Sequence, residues 1–289
     1  MNRIIKIRFI PAVALSLLLL NSQIGIAEED LAKQSQNPLG TIISLPFENN
    51  FYFGVGPSDN TGYGLTWKPV YPVGIGKWNL INRFIVPVMY SPGQDEDVLL
   101  DSSLEFGNAS MIELLSGSEF GLADITYSGY FSPKESGSWI WGLGGSFVLP
   151  TATSDRYAGE KWSAGPAFVA LTMPGNWVTG LLIQNVWSFA GDSDANEVNK
   201  FLFQYFINYN LSDGWYLSTT PIITANWEAD SGDQWTVPFG GGVGKLVKHG
   251  KLPVDYKLTA YWNAEKPEYG PDWQLQFTIK FLLPKSIFK

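Results

Sequence analysis

One segment near the end of the chain alternates apolar and polar residues without a break. From Trp273 to Leu283 the odd positions are Trp, Leu, Phe, Ile, Phe and Leu, and the even positions from Gln274 to Lys280 are polar. A repeat of two is the repeat of a β-strand whose two faces differ. The pattern therefore predicts a strand with one apolar and one polar face.

Comparable alternation recurs along most of the chain, and helical periodicity is almost absent from the same region. Most of these segments are long enough to cross a membrane at a tilt, which takes about 9–11 residues. The first is short, and its pairing is expected to begin earlier, near Ile42. We predict about twelve strands, at Phe51–Val55, Gly62–Val73, Trp78–Tyr90, Gly121–Phe131, Trp139–Leu149, Trp162–Thr172, Trp177–Phe189, Phe201–Tyr209, Trp215–Trp227, Trp235–Leu246, Val254–Trp262 and Trp273–Leu283.

The connections between these segments alternate in length. Every second connection is short and holds the turn formers Gly, Pro, Asn and Asp. The short connections are Pro72–Lys77, Ser132–Ser138, Met173–Asn176, Leu211–Gly214 and Lys248–Pro253. The intervening ones are mostly longer and acidic, namely Ser91–Glu119, Thr151–Lys161, Ala190–Lys200, Glu228–Gln234 and Asn263–Asp272. Short periplasmic turns and long outer loops are typical of outer-membrane barrels.

The composition favours a barrel that faces lipid. Aromatic residues make up 15% of the chain and charged residues only 16%. Tryptophans recur near strand ends, as in the interfacial girdles of membrane proteins. A soluble β-sandwich is the alternative, but it would turn many edge aromatics toward water. We predict an all-β, transmembrane, antiparallel up-and-down β-barrel.

The N-terminus carries the pattern of a secretory signal peptide. Arg3, Lys6 and Arg8 precede a short apolar run, and small residues lie at Gly25 and Ala27. The alternative is a membrane helix, but the run is shorter than the roughly 20 residues of a span. We predict a signal peptide over residues 1–27, a periplasmic segment over 28–41, the barrel over 42–285 and a tail over 286–289.

The predicted export and the net charge limit the classes of partner that the protein can have. The chain has no Cys, so no disulfide supports it. Its net charge is −8, and removal of the basic signal makes the charge more negative still. An acidic chain is a poor partner for nucleic acid. The expected partners are outer-membrane lipid, lipopolysaccharide and a small-molecule solute, at the Gram-negative cell surface.

The connection Ser91–Glu119 is unusually long for a loop without structure of its own. Asp101–Ser116 could form a short helix with an apolar side. It could then fold into the barrel mouth and narrow the lumen, or it could remain a surface loop.

Catalytic and cofactor chemistry has little support. The one histidine, His249, lies in a predicted periplasmic turn with no nucleophile beside it, so it is interpreted as a solvated turn residue. The pairs Asp192/Asp194 and Asp230/Asp233 could serve a protease or bind divalent cations that bridge to lipopolysaccharide. Gly240–Lys245 lacks the spacing of a phosphate loop. We predict no enzyme activity, no cofactor and no metal site.

The polar faces of the strands should meet inside the barrel. Charges there are expected to pair or to line water. A barrel of about twelve strands exceeds the width that side chains alone fill, which favours a polar conduit over a side-chain plug. The predicted lumen-lining residues are Lys68, Arg83, Asp124, Gln184, Gln204, Asn208, Asp255, Lys257, Gln274, Gln276 and Lys280.

Several strings resemble a known family. They are Trp162–Ala167, Leu171–Gly175, Trp187–Asp192, Ile223–Asp233, Glu265–Pro267 and Gly270–Leu275. They are similar to the family named for a "MetA-pathway of phenol degradation", some members of which carry the label neuromedin U. The similarity runs from about Asp30 to Lys285. It implies an outer-membrane protein with a part in uptake of aromatic or other hydrophobic compounds, and it carries over no catalytic or ligand residue.

Three functions follow as hypotheses. The first is an outer-membrane channel for passive, porin-like uptake of small hydrophobic or aromatic compounds. The second is a non-transporting barrel that serves structure or surface contact through its acidic loops. The third is a barrel hydrolase with catalytic groups at one rim.

Overall fold

A computed structural model describes residues 25–93, 117–154 and 156–283 of the chain. The predicted signal peptide before Gly25, the proposed helix Asp101–Ser116 and the tail after Leu283 lie outside the described residues. No helix within these ranges has the length and apolar character needed to span a membrane.

One helix and fifteen strands make up the described chain. The helix α1 covers Gly25–Ser35, and a single 3-10 turn covers Ser212–Gly214. The strands are β1 Ile43–Val55, β2 Asn60–Trp67, β3 Val70–Ile75, β4 Trp78–Ser91, β5 Glu119–Leu122, β6 Ile125–Pro133, β7 Trp139–Leu149, β8 Lys161–Thr172, β9 Trp177–Gly191, β10 Asn199–Asn210, β11 Trp215–Thr219, β12 Ile222–Asn226, β13 Trp235–His249, β14 Leu252–Glu265 and β15 Trp273–Leu283.

The strands close into one antiparallel barrel. The wall follows the order β1-β2-β4-β6-β7-β8-β9-β10-β12-β13-β14-β15, with β3, β5 and β11 paired alongside, and β1 pairs with β15 from Ile43 opposite Leu283 to Phe53 opposite Trp273. Closure removes the exposed edges of an open sheet, so every wall strand has two partners. The predicted fold class is confirmed.

Three wall strands are interrupted, which is why fifteen segments make a twelve-stranded wall. The pairs β2/β3, β5/β6 and β11/β12 each continue one line in the wall. Two of the interruptions contain a proline, Pro69 or Pro221, and a proline has no N–H to give to the ladder. The third contains Asp124, whose carboxylate accepts hydrogen bonds from backbone N–H groups of the loop between β7 and β8. The predicted strands at these places were continuous because their alternation persists through each break.

The outer face is apolar around the barrel. On β15 the side chain of Phe277 is 38% exposed, whereas its neighbours Gln276 and Thr278 are buried in the interior. Exposed tryptophans lie near both ends of the wall, for example Trp139 and Trp177 at the short turns and Trp187 at the long loops. This apolar belt with aromatic borders is the surface of an outer-membrane β-barrel.

Helix α1 lies at the end of the barrel that holds the short turns, called here the turn end; the other is the loop end. It contacts the 3-10 turn Ser212–Gly214 and the adjoining ends of β10, β11 and β13. In outer-membrane barrels the short turns mark the periplasmic side. The N-terminal segment predicted as periplasmic therefore includes a helix seated in that mouth of the barrel.

Candidate functional site

Two cavities lie in series inside the barrel wall. The turn-side cavity has a volume of about 170 Å³ and reaches from α1 to the middle of the lumen. The loop-side cavity, of about 60 Å³, lies beyond it toward the long loops. The two cavities share a set of wall residues, called here the polar layer: Glu48, Lys68, Gln204, Thr220 and Lys257. The polar layer is thus the boundary between the two spaces.

One half of the polar layer is organised around Glu48. Lys68 Nζ donates to Glu48 Oε2 at 2.5 Å, and both side chains are largely buried. Gln276 Nε2 donates to the same oxygen at 3.3 Å and to Asn50 Oδ1 at 2.9 Å. Gln274 Nε2 reaches Asn50 Oδ1 at 2.8 Å. These bonds connect β1 with β15 and with the end of β2. They also supply the close partner and the further hydrogen bonds that a buried charge needs.

The opposite half of the layer gathers at Thr220, beside the break between β11 and β12. Lys257 Nζ donates to Thr220 Oγ1 at 3.3 Å. Gln204 Nε2 donates to Thr220 O at 3.2 Å, and the Tyr261 hydroxyl meets the Thr220 hydroxyl at 3.2 Å. The strand break at Pro221 frees backbone groups that these side chains satisfy.

A second charged group lies closer to the turn end. Asp255 is 1% exposed and accepts from the Tyr216 hydroxyl at 2.7 Å. It also forms a salt bridge of 3.1 Å with Lys280 Nζ. Lys280 Nζ in turn donates to Ser35 O at 2.9 Å, and Ser35 Oγ donates to Asp255 at 3.3 Å. The group therefore holds the last residue of α1 inside the barrel.

Apolar contacts seat the N-terminal segment on both sides of the lumen. Ala32 is fully buried against Leu246 and Leu282. Leu39 is 4% exposed and packs in a larger cluster with side chains of β4, β6, β8, β9 and β10. A Cβ on Gly142 would lie 3.1 Å from Leu39, so the glycine gives room for this contact. Residues 32–39 therefore cross the turn end from one wall to the other.

Gln36 adds a polar contact to this seat. Its Nε2 donates to Asn210 Oδ1 at 2.9 Å, and Asn210 Nδ2 donates back to Gln36 Oε1 at 3.2 Å. Asn210 is fully buried at the end of β10. Asn210 Nδ2 also donates to Asn176 O at 3.0 Å, so this small network joins the N-terminal segment to the end of β10 and the turn before β9.

The structure distributes the predicted lumen residues over several places. Those on the turn-side cavity are Lys68, Arg83, Gln204, Asn208, Lys257 and Lys280. Gln274 and Gln276 line the loop-side cavity. Asp255 lies next to the turn-side cavity within its network. Gln184 accepts from Ser146 Oγ at 2.7 Å, and it lines neither of these cavities.

Asp124 has a structural contact of its own. Its carboxylate accepts from the backbone N–H groups of Thr151, Ala152 and Gly159 at 3.0, 3.1 and 2.8 Å. It therefore fixes the loop between β7 and β8 and lies on neither cavity. The position is at the strand break, where face parity no longer decides the direction of a side chain.

Several cavity residues were missed from the sequence. Glu48 lies in the weakly patterned first half of β1, two residues after Pro46, where pairing was expected but no inward face was assigned. Ser35, Gln36 and Asn37 line the turn-side cavity from the N-terminal segment, which no strand parity addresses. Glu48 and Asn50 are polar residues two positions apart, and this spacing could have placed Glu48 on an inward face. Nothing in the sequence places Ser35, Gln36 and Asn37 inside the barrel.

Groups considered for catalysis make local contacts. His249 is the exposed last residue of β13, and its Nε2 lies 3.1 Å from the Tyr256 hydroxyl. Asp192 accepts from the Asp194 N–H at 2.9 Å. Asp233 accepts from the Glu268 N–H at 2.8 Å. Gly240–Lys245 lies within β13. Within the described ranges, no three His, Asp or Glu residues come together as a metal site would need.

An acidic outer loop is tied to the wall at Glu197. Ser188 and Lys161 both donate to its carboxylate. The hydrogen bond from Ser188, followed by that from Lys161, lowers the pKa of the Glu197 carboxyl. The loop between β9 and β10 is thus held by a carboxylate that stays ionised at neutral pH.

A family model matches residues 57–216, more than half of the chain. Its description is "MetA-pathway of phenol degradation". The chain belongs to this family. The matched region runs from the first outer turn through the wall strands to Tyr216. It contains the cavity residues Lys68, Arg83, Gln204 and Asn208. No curated protein matches the chain in sequence, and the neuromedin U label finds no support.

Solved outer-membrane barrels resemble this member of the phenol-degradation family in fold. An outer membrane channel from Pseudomonas putida F1 aligns with a TM-score of 0.59 and 13% identity, over 84% of this chain and 94% of that one. The CymD monoaromatic hydrocarbon channel gives 0.42 and 10%, over 91% and 93%. The outer membrane phospholipase A from Escherichia coli gives 0.41 and 11%, over 84% and 96%. The first similarity shows a shared barrel fold.

Proposed function

We propose that the protein is an outer-membrane channel for the passive uptake of small hydrophobic or aromatic compounds. The observation that carries the proposal is the pair of cavities in series inside a closed barrel. A barrel that only anchors a surface has no use for internal space, whereas a solute path needs it. Membership of the phenol-degradation family and the name of the CymD channel support an aromatic solute.

The polar lining suits transient binding along such a path. Lys68, Gln204 and Lys257 border both cavities, so one set of side chains faces a solute on either side of the polar layer. The apolar walls Leu182 and Phe206 line the turn-side cavity as well. A solute can thus pass between the two sides only when bonds of the polar layer open. The path also ends at α1, which must shift to release it.

Uptake of a neutral aromatic compound tests the proposal. The full-length protein is inserted in vesicles with lipopolysaccharide in the outer leaflet, because such a leaflet slows spontaneous entry. Entry of labelled benzyl alcohol should be faster than into protein-free vesicles and should saturate with concentration. Equal rates in both, with protein shown to be folded, would contradict the proposal.

The second candidate is a non-transporting barrel that serves structure or surface contact. The specific observation in its favour is the closure of the turn end by residues 32–39, through Leu39 and the Gln36–Asn210 pair. A permanently closed lumen gives no conductance under any voltage. Conductance steps of the intact protein in planar bilayers would exclude this candidate.

We infer further that the barrel performs no hydrolysis. The position of His249, exposed at the end of β13 against the Tyr256 hydroxyl, supports this, since a hydrolase needs a base beside a nucleophile. Lipid hydrolysis by the purified protein that is lost on Asp233→Asn would overturn the inference.

A further inference from the structure

The turn-side cavity carries an excess of positive charge. Its lining includes the cations Lys68, Arg83, Lys257 and Lys280, and Glu48 is the one carboxylate among the described residues that line it. Glu48 pairs with Lys68, and Asp255 beside the cavity pairs with Lys280. Arg83 and Lys257 have no carboxylate within salt-bridge distance among the described residues. The protein as a whole is acidic, so the positive charge of this cavity is a local property.

Two hydroxyl groups on the cavity also lack a hydrogen-bond acceptor. Ser218 Oγ and Thr278 Oγ1 are buried side-chain atoms without a hydrogen-bond partner, and both residues line the turn-side cavity. A buried hydroxyl left unpaired is unfavourable, so it favours a ligand that accepts hydrogen bonds. Carboxylate oxygens are acceptors only and are attracted by the cations as well.

The cavity also has apolar side chains in its lining. Leu182 and Phe206 belong to a buried cluster on the β9 and β10 side, and Leu282 of β15 lines the cavity near α1. The volume of about 170 Å³ compares with a cavity of about 150 Å³ that binds benzene in another protein. The space therefore fits one aromatic ring with a small substituent.

We infer that the turn-side cavity is a binding site for a compact carboxylate with an apolar body, such as an aromatic acid. Arg83 and Lys257 bind the carboxylate, Ser218 and Thr278 donate to it, and Leu182 and Phe206 contact the ring. The inference rests on the proposed function, which it narrows from aromatic compounds in general to those that carry a negative charge.

Calorimetric titration of the full-length protein in detergent tests the site, with benzoate as probe. Benzyl alcohol has the same ring without the charge, and acetate has the charge without the ring. Benzoate should bind at least tenfold more tightly than either. Arg83→Gln and Lys257→Gln should each weaken benzoate binding tenfold or more and leave benzyl alcohol within twofold.

Two further variants keep the result interpretable. Lys134→Gln removes a cation from an exposed turn and should leave benzoate binding unchanged. Arg83→Lys keeps the charge and should restore most of the affinity lost in Arg83→Gln. Equal binding of benzoate and benzyl alcohol, or benzoate binding that Arg83→Gln and Lys257→Gln leave intact, would overturn the inference.

The inference and the proposed function fail separately. Saturable entry of benzyl alcohol without benzoate binding rejects the site and leaves the channel. Benzoate binding without entry of any aromatic compound rejects the channel and leaves an anion site in a closed barrel.

Discussion

Glu48 is the residue on which the inner division of the barrel depends. It accepts from Lys68, in the break between β2 and β3, and from Gln276 on β15, so one carboxylate joins the two wall strands that flank β1. The alternation of β15 predicts the inward positions of Gln274 and Gln276, and the alternation of β2 extends by one residue to Lys68 at the start of the break before β3. Strand parity was not enough for Asp124, at a strand break, or for Glu48, which lies where pairing was expected from near Ile42 but where no alternation assigned an inward face.

Substitution of Glu48 should destabilise the barrel strongly. Glu48→Gln leaves the Lys68 ammonium buried without its partner, and breaking a buried pair costs about 3–5 kcal/mol. The double variant Glu48→Gln/Lys68→Met should recover part of that loss. Asp272→Asn breaks the more exposed pair with Lys266 and should cost about 0–1 kcal/mol. Urea unfolding in lipid vesicles measures the free energy of unfolding of all three variants. A loss of under 1 kcal/mol in Glu48→Gln would contradict the role given to this pair.

Individual strands show how far a two-residue repeat determines structure. The segment Trp273–Leu283 was predicted with the bounds that β15 has, since eleven alternating residues allow one register only. The strand β1 runs over Ile43–Val55, so pairing begins where it was expected, near Ile42, although clear alternation is confined to Phe51–Val55. The difference arises because Pro46 and the run of polar residues after it weaken the pattern, and closure against β15 supplies the pairing instead. Pairing between chain ends is a property that no local pattern contains.

The two faces of β15 should differ sharply in their tolerance of charge. Phe277 faces outward near the middle of the strand, so Phe277→Arg should destabilise the barrel by about 2–4 kcal/mol in lipid. Trp273→Arg changes the same face near the loop end and should cost less, because the penalty falls toward the interface. Refolding equilibria in lipid vesicles give both values. Equal costs at the two positions would argue against Phe277 lying at mid-membrane depth.

At the scale of the molecule, the barrel is closed by its own N-terminal segment. Residues 32–39 join the walls through Ala32, Gln36 and Leu39. The sequence predicts a periplasmic segment over residues 28–41, and it gives no sign that this segment enters the lumen. Its apolar residues are too few to form a pattern, and the interior that receives them is assembled from distant strands.

Removing the seat of this segment should open the channel. Deletion of residues 28–40 leaves every wall strand intact and should raise single-channel conductance several-fold over the intact protein in planar bilayers. Gln36→Cys/Asn210→Cys joined by a short bifunctional maleimide should instead lower conductance, since the chain has no other Cys. The single variant Gln36→Cys with the same reagent is the control. Unchanged conductance in the deletion variant would mean that α1 does not gate the path.

The pairing of β1 with β15 also sets an order of events during assembly. Ser35 meets Asp255 and Lys280 across separations of 220 and 245 residues. These contacts require the last strands to be in place, and contacts at such separations form slowly. The N-terminal helix can thus be enclosed only as the first and last strands join. A fluorescent label on α1 would report the final step of folding, after the rest of the wall has already formed.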